Sequence, residues 1–345
     1  MGLKILVLSH RFFPAIGGIE VNSEIYARAF AAAGHQVRLL TWSTTEADTA
    51  FPFIVIRNPS KWLLFREHAW ADIVFENNPC VRLGWPALFF RRPAVISLNT
   101  SLSDSAGVAW LKRIWLQRAD TIIAVSEAVR RQNWPAASVI SNPYREDAFR
   151  LIPEVARRGD FVFLGRLVSQ KGAHQAIAAF KQLLERLAQA APTHAKPTLT
   201  IIGDGPERGQ LTQLVATLQL STRVRFTGFM HGEALVRQLN QHQFLVVPSV
   251  YGEAFGNVVL EGMACGCLPL VSDSDGLPDA VGQAGLVFQR DNANSLADTM
   301  WRILHDAALA AQLRQAAPAH LASHQSAIVS RRYLRVLEAA AEGSK

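Results

Sequence analysis

Cysteine is scarce, with three in 345 residues: Cys80, Cys265 and Cys267. Only Gly266 separates the last two, in a run of small residues. Neither a disulfide framework nor a zinc site is expected there, and the sequence predicts a reducing, cytoplasmic setting. Long apolar runs are also missing. No stretch approaches the roughly 20 consecutive apolar residues that a spanning helix needs. The Leu3–Leu8 run is too short for the core of a secretory signal, and no small-residue cleavage site follows it, so it reads as a buried strand. Leu6 stands where a myristoylation signal needs Ser or Thr. No dense basic run interleaves with aromatics, and nucleic acid is not expected as a partner. Histidines 68, 174, 231, 242, 320 and 324 lack metal-ligand spacing. Asp273, Asp275 and Asp279 fall in a Gly-Pro loop after a strand and read as solvated charges. No metal and no cofactor are expected.

What is present begins with charge. Thirty-five basic against 28 acidic residues give a formal net charge of +7. The first 150 residues carry +5 of it (17 minus 12), the remainder +2 (18 minus 16). A surplus in the amino half points to an anionic partner there, a bilayer face or a phosphorylated acceptor.

Short apolar runs alternate with longer amphipathic segments, the pattern of parallel βα units. In the amino half, Lys4–Leu8, Gln36–Leu40, Phe53–Ile56, Asp72–Phe75, Ala94–Leu98 and Thr121–Val125 read as strands. Ile19–Ala33 reads as a helix closed by Gly34. Asn142-Pro143 interrupts the pattern, and 151–159 reads as a linker. A second series comes next, at Phe161–Leu164, Leu199–Ile202, Val224–Thr227, Phe244–Val247 and Leu268–Val271. Leu187–Ala191 looks like a helix end followed by an exposed loop at Pro192–Pro197, and Gln325–Ala341 is a last amphipathic helix. The chain, too long for one ordinary α/β core, is expected to form two doubly wound domains, 1–150 with the helix at about 325–345, and 151–324.

The strongest chemical signal is Ser249-Val250-Tyr251-Gly252-Glu253-Ala254-Phe255-Gly256-Asn257-Val258-Val259-Leu260-Glu261. Two carboxylates stand eight residues apart across a Gly-Asn turn, between a strand stopping at Pro248 and a helix of small and aliphatic residues. Such a turn delivers a helix N-terminus to the carboxyl end of a strand, where free N–H groups and the peptide dipoles attract phosphate. Carboxylates on both sides suit a ligand with hydroxyls flanking its phosphates, the shape of a nucleotide sugar. Arg166 and Lys171 sit on the loop after the first strand of the second series and suit a pyrophosphate. Gly17 and Gly18 after the first strand permit positive φ and close ligand approach, or form a mere β-to-α turn. Gly203-Asp204-Gly205-Pro206, with Pro206 read at the first helical position, is a tight turn or a nucleotide contact. Val224–Phe229 ends a strand where a base could pack. His10, at the end of the first strand, reads equally as a polar site residue or a satisfied strand-end histidine.

Taken together, these motifs resemble the retaining glycosyltransferases of family 4, over nearly the whole length. The resemblance implies a GT-B fold: two Rossmann-like parallel-sheet domains facing a cleft, with the terminal helix crossing back to the first. It implies that Glu261 binds donor ribose hydroxyls and Glu253 faces the transferred sugar. The backbone from Phe255 through Gly256 and Asn257 to Val258, with Arg166 and Lys171, would hold the pyrophosphate. Gly203 and Phe229 would lie on the donor side, and Gly17 and Gly18 would close on the donor from the amino domain. The implied reaction is metal-independent transfer of a hexosyl unit from a nucleoside-diphosphate sugar to a glycan or lipid-linked acceptor, in polysaccharide or cell-envelope glycan synthesis.

There are departures. Where the family often has histidine at the end of the fifth strand, this chain has Asn99, which cannot accept a proton. After Gly276 the family often has glutamate following Pro; here Leu277-Pro278 leads to Asp279. The chain is compact between Thr41 and Asp72, predicting a narrow acceptor platform suited to a lipid-carried sugar. His10 and Asn99 are the acceptor-side candidates. Two other readings stay open: a nucleotide-sugar epimerase on the same fold, and a non-catalytic nucleotide-sugar-binding protein. Trp62 with Phe65, and Leu111, Ile114 and Trp115, each share a helical face bordered by Lys61, Arg66, Lys112 and Arg113. Those faces either pack on the sheet or dock peripherally on anionic lipid at the inner face of the membrane.

Overall fold

The computed structural model describes residues 2–14, 17–44, 50–100, 106–190 and 197–343. The described residues form two wholly parallel sheets. The first contains β1 (Lys4–Leu8), β2 (Gln36–Thr41), β3 (Ile54–Arg57), β4 (Ile73–Asn77), β5 (Ala94–Leu98), β6 (Thr121–Ala124) and β7 (Ser138–Val139), in the order β3-β2-β1-β4-β5-β6-β7. The second contains β8 (Gly159–Leu164), β9 (Leu199–Ile202), β10 (Val224–Gly228), β11 (His242–Val247), β12 (Leu268–Ser272) and β13 (Leu286–Phe288), in the order β10-β9-β8-β11-β12-β13. Each order runs outward one way, then reverses beside the first strand, the Rossmann-like arrangement. Among the expected segments, Pro192–Pro197 falls almost wholly outside the described residues.

Why these runs become central strands is visible in β1. Its residues are apolar at consecutive positions because both faces of a parallel sheet are covered. Ile5 and Val7 enter a core with Tyr26, Phe30 and Phe75, while Leu6 and Leu8 enter another with Leu64, Val74 and Leu83. The helix Gly18–Ala32 ends as Gly34 takes φ +89°, a conformation that costs glycine no Cβ clash.

The chain divides into two compact units, Met1–Pro143 with His324–Lys345, and Tyr144–Ser323. The division falls earlier than the expected boundary at 150 because Tyr144–Arg150 is tied to the second unit. Asn240 donates to the Arg150 carbonyl at 3.0 Å and accepts from the Ile152 N–H at 2.7 Å. Arg150 also pairs with Glu233 at 3.1 Å. The last helix, Ser326–Gly343, belongs to the first unit. Its Tyr333 ring lies 4.4 Å from that of Tyr26, and Val329, Leu337 and Ala341 complete the same core.

Candidate functional site

In the second unit the strand order reverses between β8 and β11, so the loops leaving those strands emerge side by side. They are joined directly, with the Val250 N–H donating to the Gln170 carbonyl at 2.9 Å. The first loop carries Arg166 and Lys171. Arg166 is exposed, and no hydrogen bond or ion pair engages its guanidinium among the described residues. Lys171 reaches across to Glu253 on the second loop, forming an ion pair with its Oε1. The same oxygen accepts from Ser249 Oγ at 2.9 Å, and Glu253 is only 8% exposed.

The second loop is clamped from β12. Ser272 Oγ donates to the Ser249 carbonyl at 2.6 Å, Gly276 N–H to the Glu253 carbonyl at 2.8 Å, and Gly252 N–H to Asp275 Oδ2 at 2.8 Å. The loop then turns into the helix Asn257–Ala264 through Gly256 at φ +100°. A Cβ at Gly256 would come within 2.5 Å of Leu277 Cδ2, so space and backbone conformation both call for glycine. Gly256 at the N-cap has no side chain to bond the first turn, and the positive dipole end of the helix lies at this turn. Phe255 is buried and pins the turn.

Glu261 lies on that helix, half-buried, and its carboxylate makes no hydrogen bond among the described residues. Burial pushes its pKa up to about 7, with the Arg145 charge pulling the other way. A carboxylate held without a partner in a half-dry position is set to accept hydroxyl donors.

Gly203 sits where the β9 loop meets the β8 loop, at φ +142°, and a Cβ there would fall 1.9 Å from the Gly165 carbonyl oxygen. Close backbone packing therefore explains this glycine. Leu167 N–H donates to the Asp204 carbonyl at 2.9 Å, fastening the two loops together. Pro206 does not open the next helix as expected; that helix spans Arg208–Thr217, with Glu207 at its N-cap. Phe229 follows β10 and is exposed, its ring 5.8 Å from that of His231.

In the first unit, the glycine turn makes no use of the positive φ that glycine permits. Gly17 is extended and Gly18 is already helical. His10 leaves β1 and lines a pocket of about 540 Å³ with Arg11, Pro14, Trp42, Ser43 and Thr44. Partial burial, then the charges of Arg82 and Arg11, hold its imidazole below the ordinary histidine pKa. Asn99 is buried at the end of β5 and is spoken for. Its Nδ2 donates to Asn77 Oδ1 at 2.7 Å and to Ser97 Oγ at 3.2 Å, while Asn77 Nδ2 donates to Ser23 Oγ at 2.8 Å. Ser97 Oγ also lies 3.0 Å from the Tyr333 hydroxyl. This amide knits the carboxyl ends of β4 and β5 to the flanking helices. Only its Oδ1 is left without a partner in the interior.

Sequence reasoning missed Ser249 and Ser272, which position Glu253, because isolated serines carry no spacing signal. It also missed Glu76, buried beneath Trp115 and Arg118. Trp115 Nε1 donates to Glu76 Oε2 at 2.9 Å, and Arg118 pairs with Oε1 of the same carboxylate. The expectation that Trp115 shares a face with Leu111 and Ile114 is corrected here: Trp115 is buried, drawn inward by that bond, while the other two are exposed. Phe65 likewise turns toward Trp85, at 4.9 Å between ring centroids. The three cysteines are buried thiols with pKa values pushed up by burial to about 12, unsuited to nucleophilic work. Among the described residues, no group of three or more His, Cys, Asp or Glu is arranged to hold a metal ion. No helix among them is long and apolar enough to cross a membrane.

A family model described as Glycosyl transferases group 1 matches residues 145–320. Glycogen synthase of Mycobacterium tuberculosis is 33% identical, over 93% of this chain and 91% of that protein. The phosphatidylinositol N-acetylglucosaminyltransferase gpi3 subunit of Schizosaccharomyces pombe is 24% identical, over 87% of this chain and 72% of its own. The crystal structure of Anabaena HepE in complex with UDP has a TM-score of 0.81 at 21% identity, covering 98% of this chain and 100% of that one. That likeness concerns the fold, which is GT-B, as the two reversed-order parallel sheets indicate. With the model spanning half of the chain and a relative aligned along nearly all of it, the chain belongs to the group 1 glycosyl transferases, enzymes that move a glycosyl unit from a sugar donor.

Proposed function

We propose that the donor is a nucleoside-diphosphate sugar, that a hexosyl unit is transferred with retention at the anomeric carbon, and that no metal ion takes part. The observation that carries this reading is the loop pair at the strand reversal. A helix N-terminus entered through glycine, an unengaged guanidinium at Arg166, the ammonium of Lys171 and the carboxylate of Glu261 share one end of one sheet.

In this reading the diphosphate caps the helix Asn257–Ala264 through the backbone from Phe255 to Val258, while Arg166 and Lys171 neutralise the charge that grows on it as it departs. Glu261 accepts the ribose hydroxyls and Glu253 faces the transferred hexose. The anomeric C–O bond to the diphosphate breaks first, giving oxocarbenium character. The acceptor hydroxyl then attacks from the face the diphosphate is leaving, and its proton passes to a phosphate oxygen. Cationic side chains and a helix dipole supply the stabilisation that a divalent ion would otherwise give. Gly203 and Phe229 flank the donor, and His10, with its pocket, stands on the acceptor side. Asn99, already bonded inward, holds that side in shape.

The acceptor we propose is a glycan or a lipid-linked sugar in polysaccharide or envelope glycan synthesis, on the cytoplasmic side of a membrane. A lipid-linked acceptor would bring the basic amino-terminal unit to a bilayer. HepE was crystallised with UDP, and the gpi3 relative is named for a phosphatidylinositol acceptor, which supports both halves of the reading. The test is a thermal-shift screen with UDP, GDP, ADP and their hexose conjugates, followed by transfer assays with the stabilising donor. One nucleotide and its sugar should raise the melting temperature, and the same sugar should be transferred or hydrolysed with the anomeric configuration kept. A chain indifferent to every nucleotide, or a product of inverted configuration, refutes the reading.

A further inference from the structure

We propose that the outer face formed by helix Lys61–Trp70, the segment Val81–Arg92 and helix Ala106–Gln117 is a docking surface for anionic lipid bilayers. These three segments cover one side of the first sheet and adjoin one another. Phe65 lies against Trp85 and Phe89, with centroids 4.9 and 5.3 Å away. On the other flank, a Cβ added at Gly84 would come within 2.6 Å of the Trp115 ring.

Each segment uses its apolar residues on two sides. Leu64, Leu83, Trp115 and Leu116 are buried. Facing away from the sheet, Trp62, Phe89 and Trp110 are 71%, 67% and 62% exposed, and Leu88, Leu111 and Ile114 are exposed beside them. Six large apolar side chains left in solvent on adjoining segments exceed the scattering normal for a soluble surface.

The charges select the partner. The stretches 61–66, 81–92 and 110–118 hold eight basic residues and no acidic one. Arg118 is neutralised inward by Glu76, and Arg66 shares the buried Glu67 with Arg38 while lying 5.6 Å from the Trp62 ring. Lys61, Arg91, Arg92, Lys112 and Arg113 have no ion pair among the described residues. Tryptophans ringed by cations suit the boundary between headgroups and acyl chains, with the rings inserted and the cations on phosphates. This surface belongs to the first unit and the donor loops to the second, and the proposal does not depend on which donor is used.

The experiment is vesicle flotation of the full chain with phosphatidylcholine liposomes, with and without phosphatidylglycerol, at low and high salt. Binding is expected only with the anionic lipid and should fall as salt rises. Neutralising Lys61, Arg66, Lys112 and Arg113 together to glutamine should weaken partitioning more than about 100-fold, since each basic residue near an anionic surface is worth about fivefold. The same exchange at the exposed Arg225, Arg302, Arg331 and Arg332 should change it little. Brominated acyl chains should quench wild-type tryptophan fluorescence, and the quenching should vanish in Trp62→Ser/Trp110→Ser. Melting curves check that the variants fold, and the quenching in wild type stands on its own if one does not. Equal partitioning of the two charge variants, binding to neutral vesicles alone, or a wild-type dimer that the serine variant dissolves would each overturn the proposal. None of these results depends on sugar transfer, so failure here leaves the donor assignment intact.

Discussion

Glu261 offers the sharpest quantitative test. Its folded-state pKa is raised from 4.5 to about 7 because the ionised form loses hydration. In the ligand-free protein it is therefore mostly protonated at pH 6 and mostly ionised at pH 8. Ribose hydroxyls donate best to the ionised form, each such bond being worth about 1.5–3 kcal/mol. A bound nucleotide sugar draws the pKa down, and at pH 6 binding must first remove a proton. With about one carboxylate in ten ionised there, donor affinity should weaken about tenfold between pH 8 and pH 6. Calorimetric titration with a nucleotide sugar suits the measurement, because its diphosphate, esterified at both ends, does not titrate in that window. Glu261→Gln should bind more weakly at pH 8 and lose the pH dependence. Stability moves oppositely. A raised carboxylate pKa means that the folded state holds the extra proton, so stability falls as pH climbs from about 4.5 to 7, by about 3 kcal/mol at most. Ligand-free Glu261→Gln should thus melt higher than wild type at pH 8, and the gap should close near pH 5. A wild type whose donor affinity is flat with pH, or a glutamine variant with the same slope, would sink the assignment.

Two further outcomes concern neighbouring features. Arg166→Ala or Lys171→Ala should lower kcat by about 100-fold or more, as loss of one donor to a developing anion does, while EDTA leaves activity unchanged. Activity abolished by chelation and restored by Mg²⁺ would contradict the metal-free route. In the first unit, Arg118→Met strips the cation from buried Glu76 and should cost about 3 kcal/mol in urea unfolding, with the deficit shrinking as pH falls and the carboxylate protonates. A variant as stable as wild type at pH 8 would show that the pair is not holding Trp115 inward.

Much of this architecture is written in local pattern. β1, β8 and β11 carry runs of four apolar residues because both sheet faces are covered, and the sequence declares them. β7 and β13, two and three residues long, are not legible in that way. They sit at sheet edges, where hydrogen bonds to β6 and β12 rather than composition make them strands. The donor-side loops are legible because glycine turns and paired glutamates have fixed spacing. What spacing cannot convey is pairing across distant segments. Lys171 meeting Glu253, Ser249 steadying that carboxylate and Glu76 pulling Trp115 inward all depend on which loops the sheet order sets side by side. The amphipathic faces show the same limit, since a helix read alone cannot say which of its two apolar sides the sheet takes. The glycine pair 17–18 shows the converse, a composition that permits positive φ in a turn that does not use it.

The place of Ser326–Gly343 in the first unit bears on the order in which the protein is made. The core around Tyr26 and Phe75 waits for Val329, Tyr333 and Leu337, so the amino-terminal unit cannot close until translation has passed those residues. The unit from Tyr144 to Ser323 has all its strands and helices before that point. On the ribosome, the half encoded second is thus the first able to finish folding, while the half encoded first holds Tyr26 and Phe75 open to water or to a chaperone until the last helix arrives.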